Sequence, residues 1–171
     1  MTEHEHARSV FLVGLKNAHA MEKQALSIMQ PQVNRLTHYP DLSQRLRSHI
    51  TETETQISRL DEVLKSLGES SSPLKDSLLS AFGSMAALGH VTAEDEVLKN
   101  SFANLAFENY EIGAYISLIT AARASGESGA VTLLEQSLDE ERRMAEWVAE
   151  HIPSVTETFI SLTGAGERAK V

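Results

Sequence analysis

The chain has 171 residues, enough for one domain with its own core, and its 42% hydrophobic and 23% charged residues are ordinary globular composition. A net charge of −9 with no cluster of lysine or arginine argues against nucleic acid or an anionic membrane surface as a partner. The absence of cysteine excludes disulfides, thiolate-ligated metals and thiol nucleophiles, and leaves oxygen and nitrogen groups to carry any chemistry.

The first ten residues, MTEHEHARSV, are polar, and the apolar run VFLVGL is cut short by Lys16. Neither a signal peptide nor a spanning helix is expected, and the chain reads as cytoplasmic. His4 and His6 fall in a terminus expected to fray. From about residue 5 to 37, Phe11, Leu15, Ala18, Glu22, Ala25 and Met29 recur every three or four positions. Val33 and Leu36 continue the pattern past Pro31, which predicts a long amphipathic helix with a kink. His38-Tyr39-Pro40 breaks it. Asp41 can cap a second helix over 41–67, with a stripe of Leu42, Leu46, His49, Glu52, Gln56, Leu60, Val63 and Leu67 that ends at Gly68.

Residues 68–91 read as a long crossover: GESSSP is turn-rich, and Leu74, Leu78, Phe82, Met85 and Leu88 then mark a short helix. Phe82, Met85 and Leu88 are more apolar than a solvated connection needs, so they are expected to cover the bundle or to help form a homodimer contact. A third helix is predicted over 92–125, with Thr92 as its cap and Leu98, Phe102, Leu105, Glu108, Ile112, Tyr115 and Ile119 along it. A fourth, over 127–151, carries Val131, Leu134, Leu138, Glu141, Ala145 and Val148, and 153–163 is expected to form a short last helix. No stretch alternates with period two. Two hairpins of long helices joined by one long connection describe an all-α, ferritin-like antiparallel four-helix bundle, a single domain spanning 1–171.

Each long helix interrupts its apolar stripe with acid: Glu22, then Glu52, then Glu108 with Glu111, then the pair Glu140-Glu141. An acid on a helix usually faces solvent, but here four helices agree. Glu22 and Glu52 stand 30 positions apart, as do Glu111 and Glu141, which in antiparallel hairpins puts the acids at one level. His49 lies one turn before Glu52 and can add a nitrogen ligand to that level. Buried carboxylates without a partner are costly, so a cation is implied. Five carboxylates, counting one of Glu140 and Glu141, carry five negative charges. Two divalent ions bring four positive charges and two ferric ions six, so the site stays near neutral in either state. Oxygen-rich ligation with one imidazole suits iron or manganese. His19, His38, His90 and His151 read as surface or capping residues.

AHAMEKQAL around Glu22, RSHITETETQISRLDEVL around Glu52, ENYEIGAYISLITAA and LLEQSLDEERRMAEWV together resemble the YciE/YciF-like family of the ferritin-like superfamily over almost the whole chain. The most specific parts are His-x-x-Glu-Thr at 49–53 and Glu-x-Tyr-Glu-Ile at 108–112. The resemblance implies a di-metal centre, often in a dimer, linked to stress responses. By analogy it makes Glu22 a terminal ligand on one metal, with His49 beside it, and Glu108 the terminal ligand on the other. Glu52 and Glu140 would be bridges, with Glu141 the alternative to Glu140. Where many relatives carry a fourth-helix histidine this chain has Arg143 and Met144, so Glu111 is expected to stand in for that ligand. Asn109 stands where the YciF-like pattern commonly has histidine, and the His-x-x-Glu order on the second helix reverses the usual one. The expected function is a non-haem centre of two iron ions, with manganese possible, oxidising ferrous iron with dioxygen or peroxide. Tyr115, one turn from Glu111, is a candidate donor of a hydrogen bond or an electron. The alternatives are a subunit of an iron-storage cage and a non-enzymatic stress protein whose metal is structural or vestigial.

Overall fold

Apolar residues repeating at three- and four-residue spacing form four long helices, seen in a computed structural model that describes residues 2–70 and 93–171. They are α1 (Glu3–Val33), α2 (Pro40–Ser66), α3 (Glu96–Ala124) and α4 (Ser128–Gly164), with no strand among the described residues. α1 packs on α2 and α3, and α4 packs on α3 and α2, which leaves α1 and α4 on one diagonal and α2 and α3 on the other. Every adjacent pair runs antiparallel. Lys16 of α1 reaches Glu69 just past the end of α2, Arg35 just past α1 reaches Glu96 at the start of α3, and Tyr39 at the start of α2 donates to the Ala169 carbonyl beyond α4.

The chain therefore leaves α2 beside Lys16 and returns beside Arg35, just past the end of α1 and about 26 Å of helix further on at 1.5 Å per residue. That displacement is what a ferritin-like crossover accomplishes. Its expected short helix, with Leu74, Leu78, Phe82, Met85 and Leu88, and the cap Thr92 lie outside the described residues.

The helix ends depart from the sequence reading in ways that have local causes. α1 begins at Glu3 and not in a frayed end, because Thr2 and Glu5 form a reciprocal capping box. It stops at Val33 and not at 37. α3 begins at Glu96, whose buried carboxylate is held by Arg35 at 2.7 Å and by Lys170 at 3.8 Å. α4 does not stop at His151; it runs through Pro153 to Gly164, so no separate last helix exists. Val155 is buried, and Phe159 and Leu162 pack against the core at spacings of four and three, which carries the stripe past the proline. At Gly14 of α1 an added Cβ would lie 2.9 Å from Leu118 Cδ1 of α3, so the helices pack closely there. No helix among the described residues is long and apolar enough to cross a membrane.

Candidate metal centre

Halfway along the bundle the apolar core gives way to a layer of acid. Glu22 from α1, His49 from α2, Glu108 and Glu111 from α3 and Glu141 from α4 are each at most 2% exposed. One ligand-capable atom from each of His49, Glu108, Glu111 and Glu141 lies within 4.8 Å of the others. Glu22 adjoins this group, close enough for its charge to act on Glu111 and for the charge of Glu141 to act on it. Of the two 30-residue separations in the sequence, that of Glu111 and Glu141 brings both acids into the layer, whereas of Glu22 and Glu52 only Glu22 enters it.

His49 is fixed from behind. Its Nδ1 lies 2.9 Å from Glu52 Oε2, and Arg45 Nη1 donates to that same oxygen at 3.1 Å. Nε2 consequently points inward, 3.1 Å from Glu108 Oε2 and 3.4 Å from Glu141 Oε2, though without hydrogen-bond geometry to either. An imidazole anchored through one nitrogen with the other aimed at carboxylates is the usual arrangement of a metal-ligating histidine. Arg45, His49 and Glu52 follow at steps of four and three along α2, so one helix face supplies the anchor and the imidazole together.

Glu140 and Glu141 go to different places. Glu140 forms a two-pronged pair with Arg59, at 2.6 and 2.8 Å, and accepts from Gln56 Nε2 at 3.0 Å. Glu141 enters the layer and accepts from the same Gln56 amide. The fourth-helix acid in the buried group is therefore Glu141, and Glu140, the expected bridge, is neutralised by a guanidinium from α2. Glu52, the other expected bridge, stands at the edge, its side chain 25% exposed. Tyr115 donates to Glu22 Oε1 at 2.5 Å, which leaves Glu22 Oε2 facing the layer. Asn109, by contrast, is exposed and bonds its own helix at the Leu105 carbonyl.

Gln56, Arg59 and Arg45 are the members that the sequence reading passed over as site residues. Gln56 had a signal, since a fully buried amide four residues after Glu52 continues the polar stripe. The arginines had none, because their partners lie across the groove between helices or a full two turns away. His19 also departs from expectation: it is buried, with Nε2 3.2 Å from Asp61 Oδ1, and burial lowers its pKa.

The electrostatics describe a layer that needs cations or protons. Glu22 Oε2, both oxygens of Glu111, Glu108 Oε2, Glu141 Oε2, His49 Nε2 and Gln56 Oε1 are all buried without a hydrogen-bond partner. Burial pushes Glu22 and Glu111 well above the usual carboxylate range, and neighbouring carboxylates push them further. Burial lifts Glu108 to about 7 against the opposing pull of His49. Burial would lower His49, but the charge of Glu108 and contacts with Glu108, Glu141 and Glu52 outweigh it and raise its pKa well above the ordinary value. Burial would likewise raise Glu141, yet contacts from His49 and Gln56 hold it low. Without a cation the layer thus keeps several protons that a bound metal would displace. Five carboxylates and one imidazole, with six inward atoms unsatisfied among them, make an oxygen-rich cluster that could hold a metal ion.

Glu52 alone of these residues also touches the surface, where a groove of about 390 Å³ is lined by Arg45, Glu52, Arg143, Glu146, Trp147 and Glu150.

Known proteins share this arrangement of helices. Protein YciF of Escherichia coli (strain K12) is 33% identical over 144 residues, covering 78% of this chain and 82% of that protein. The crystal structure of the E. coli stress protein YciF superposes with a TM-score of 0.74 at 27% identity, over 85% of this chain and 94% of that one. A solved protein from Xanthomonas campestris pv. campestris gives a TM-score of 0.78 at 31% identity, over 92% of this chain and 99% of that one. Residues 6–161 match the family described as a domain of unknown function, DUF892, and the chain belongs to that family, with a YciF-like, ferritin-like fold.

Proposed function

We propose that this chain is a non-haem protein with a dinuclear centre that oxidises ferrous iron with dioxygen or peroxide. The observation that carries the reading is the set of buried, unpartnered atoms on Glu22, His49, Glu108, Glu111 and Glu141, gathered at one level of the bundle. A structural hydrogen-bond network would satisfy these atoms internally; this one leaves them aimed at a common space.

Glu22, His49, Glu108, Glu111 and Glu141 would hold the ions, with Glu52 at the edge. When bound, the ions supply the redox chemistry, two ferrous ions giving one electron each to the oxidant. The protein's part is to hold that charge. Glu52 keeps His49 in the orientation that presents Nε2, and Gln56 fixes Glu141. Tyr115 leaves one oxygen of Glu22 for the centre and donates its O–H to the other, at an oxygen–oxygen distance of 2.5 Å. Burial within the apolar core keeps bulk water from these groups and strengthens each of these interactions. YciF of E. coli is described as a stress protein, and removing ferrous iron together with peroxide is a reaction that fits such a description.

The test is anaerobic loading with ferrous iron, counting bound metal, then mixing with oxygenated buffer or peroxide while following the near-ultraviolet absorbance of ferric carboxylate. About two ions per chain, oxidised within the mixing experiment, are expected. Binding well below one ion per chain, or bound iron that stays ferrous, overturns the reading; the second result leaves a structural metal.

A further inference from the structure

A hydrated divalent cation cannot cross a wall of leucine and methionine; it needs oxygen ligands that exchange for its water one at a time. Glu22, His49, Glu108, Glu111 and Glu141 offer no such path among the described residues, being at most 2% exposed. Glu52 does. Its side chain is 25% exposed, it lines the surface groove, and Oε2 lies 2.9 Å from the imidazole whose other nitrogen faces the acid layer. Glu146 and Glu150 stand one turn apart on α4 in the same groove, exposed, where they attract cations to its mouth.

Arg45 works against that attraction. Its Nη1 donates to Glu52 Oε2 at 3.1 Å, the same oxygen that faces His49, and its own side chain is only 15% exposed. A carboxylate held in this way cannot turn to meet a cation in the groove without first losing the guanidinium. We propose that Glu52 is the point through which a divalent cation passes from solvent to the buried layer, and that Arg45 is the latch that limits its passage. The proposal rests on the dinuclear reading of the layer and adds the route and its control. Arg45 is a positioning residue, acting only through Glu52.

The groove supplies its own control. Arg143 carries the same charge on the same groove but does not hold Glu52. Removing either arginine relieves repulsion of a cation, but only the loss of Arg45 releases Glu52 Oε2 from a guanidinium and leaves His49 Nδ1 as its remaining partner. The experiment mixes metal-free protein with cobalt(II) chloride in a stopped-flow instrument and follows the cobalt ligand-field absorbance. It is run in about 1 M salt, where a screening length of about 3 Å suppresses charge steering.

Arg45→Gln is expected to take up cobalt about fivefold faster than wild type, the scale of a partly exposed ion pair, with the final stoichiometry unchanged. Arg45→Lys, which keeps the charge and loses the planar fork, should fall between them and serves as the test if the glutamine variant folds poorly. Arg143→Gln should stay within about twofold of wild type at this salt concentration. Wild-type rates in Arg45→Gln, or equal acceleration in Arg143→Gln, overturn the latch while leaving the centre standing. A wild-type chain that takes up no cobalt and no ferrous iron overturns the centre and the latch together.

Discussion

Glu111 is the residue whose burial is hardest to explain without a cation, since both of its oxygens are buried and neither has a partner. Glu111→Gln keeps size and polarity but reduces the five acids of the centre to four. Two ferric ions suffer more from that loss than two ferrous ones, so ferrous binding should persist while oxidation slows about tenfold, which corresponds to about 1.4 kcal/mol on the barrier. The metal-free variant should melt near wild type, because burial and the neighbouring carboxylates push Glu111 well above the usual carboxylate range and so favour its neutral form, which an amide mimics. Stopped-flow oxidation beside an anaerobic ferrous titration decides it; an unchanged oxidation rate removes Glu111 from the centre. This residue was legible in the sequence, as an acid in the most apolar stretch of its helix. The choice between Glu140 and Glu141 was less so. The stripe of Leu134, Leu138, Ala145 and Val148 selects Glu141, but the reason Glu140 turns away is Arg59, which belongs to another helix. Periodicity within one helix carries no record of a partner across the bundle.

At the scale of elements, the four long helices and the level of their acids were readable, because burying one face of each helix imposes a repeat that any stretch of a dozen residues displays. The ends were not, and α4 shows why. The sequence pattern divides this stretch into a helix ending at His151 and a short one over 153–163, yet a single helix passes through Pro153, since the apolar stripe resumes at Val155, Phe159 and Leu162 and the gain from packing it exceeds the local cost. That cost remains in the fold. Pro153 is exposed, has no N–H for the Ala149 carbonyl, and crowds the preceding turn. Pro153→Ala should therefore stabilise the chain by about 1–3 kcal/mol, seen as a rise of several degrees in the thermal midpoint with metal binding unaltered. A lower midpoint would show that the proline itself is needed to seat Val155 and Phe159.

For the whole molecule, the acid layer makes stability depend on pH in a direction opposite to that of most proteins with paired surface carboxylates. In the metal-free chain Glu108 titrates at about 7 against an ordinary 4.5, so from 4.5 to about 7 the folded state holds a proton that the unfolded state has released. Stability then falls as pH rises through that window, by on the order of 3 kcal/mol for this group alone. Glu22 and Glu111, raised further, act in the same direction and extend the loss to higher pH. His49 does so too: its raised pKa contributes stability in full below 6.5 and loses it as pH climbs through the folded value. Glu52 and Glu141 are lowered, so their contributions are complete above 4.5 and shape only the acid limb. Metal reverses the trend, because the ligands bind as carboxylate and neutral imidazole and protons compete with the ions for them. Calorimetry of chelator-treated protein should give a thermal midpoint that falls between about pH 5 and pH 8, while the ferrous-loaded protein, kept anaerobic, gains stability over the same range. The gap between the two melting curves should widen steadily with pH. A metal-free midpoint that instead rises to pH 8 would mean that water or other side chains already satisfy these carboxylates, and the physical ground for a buried cation would be gone.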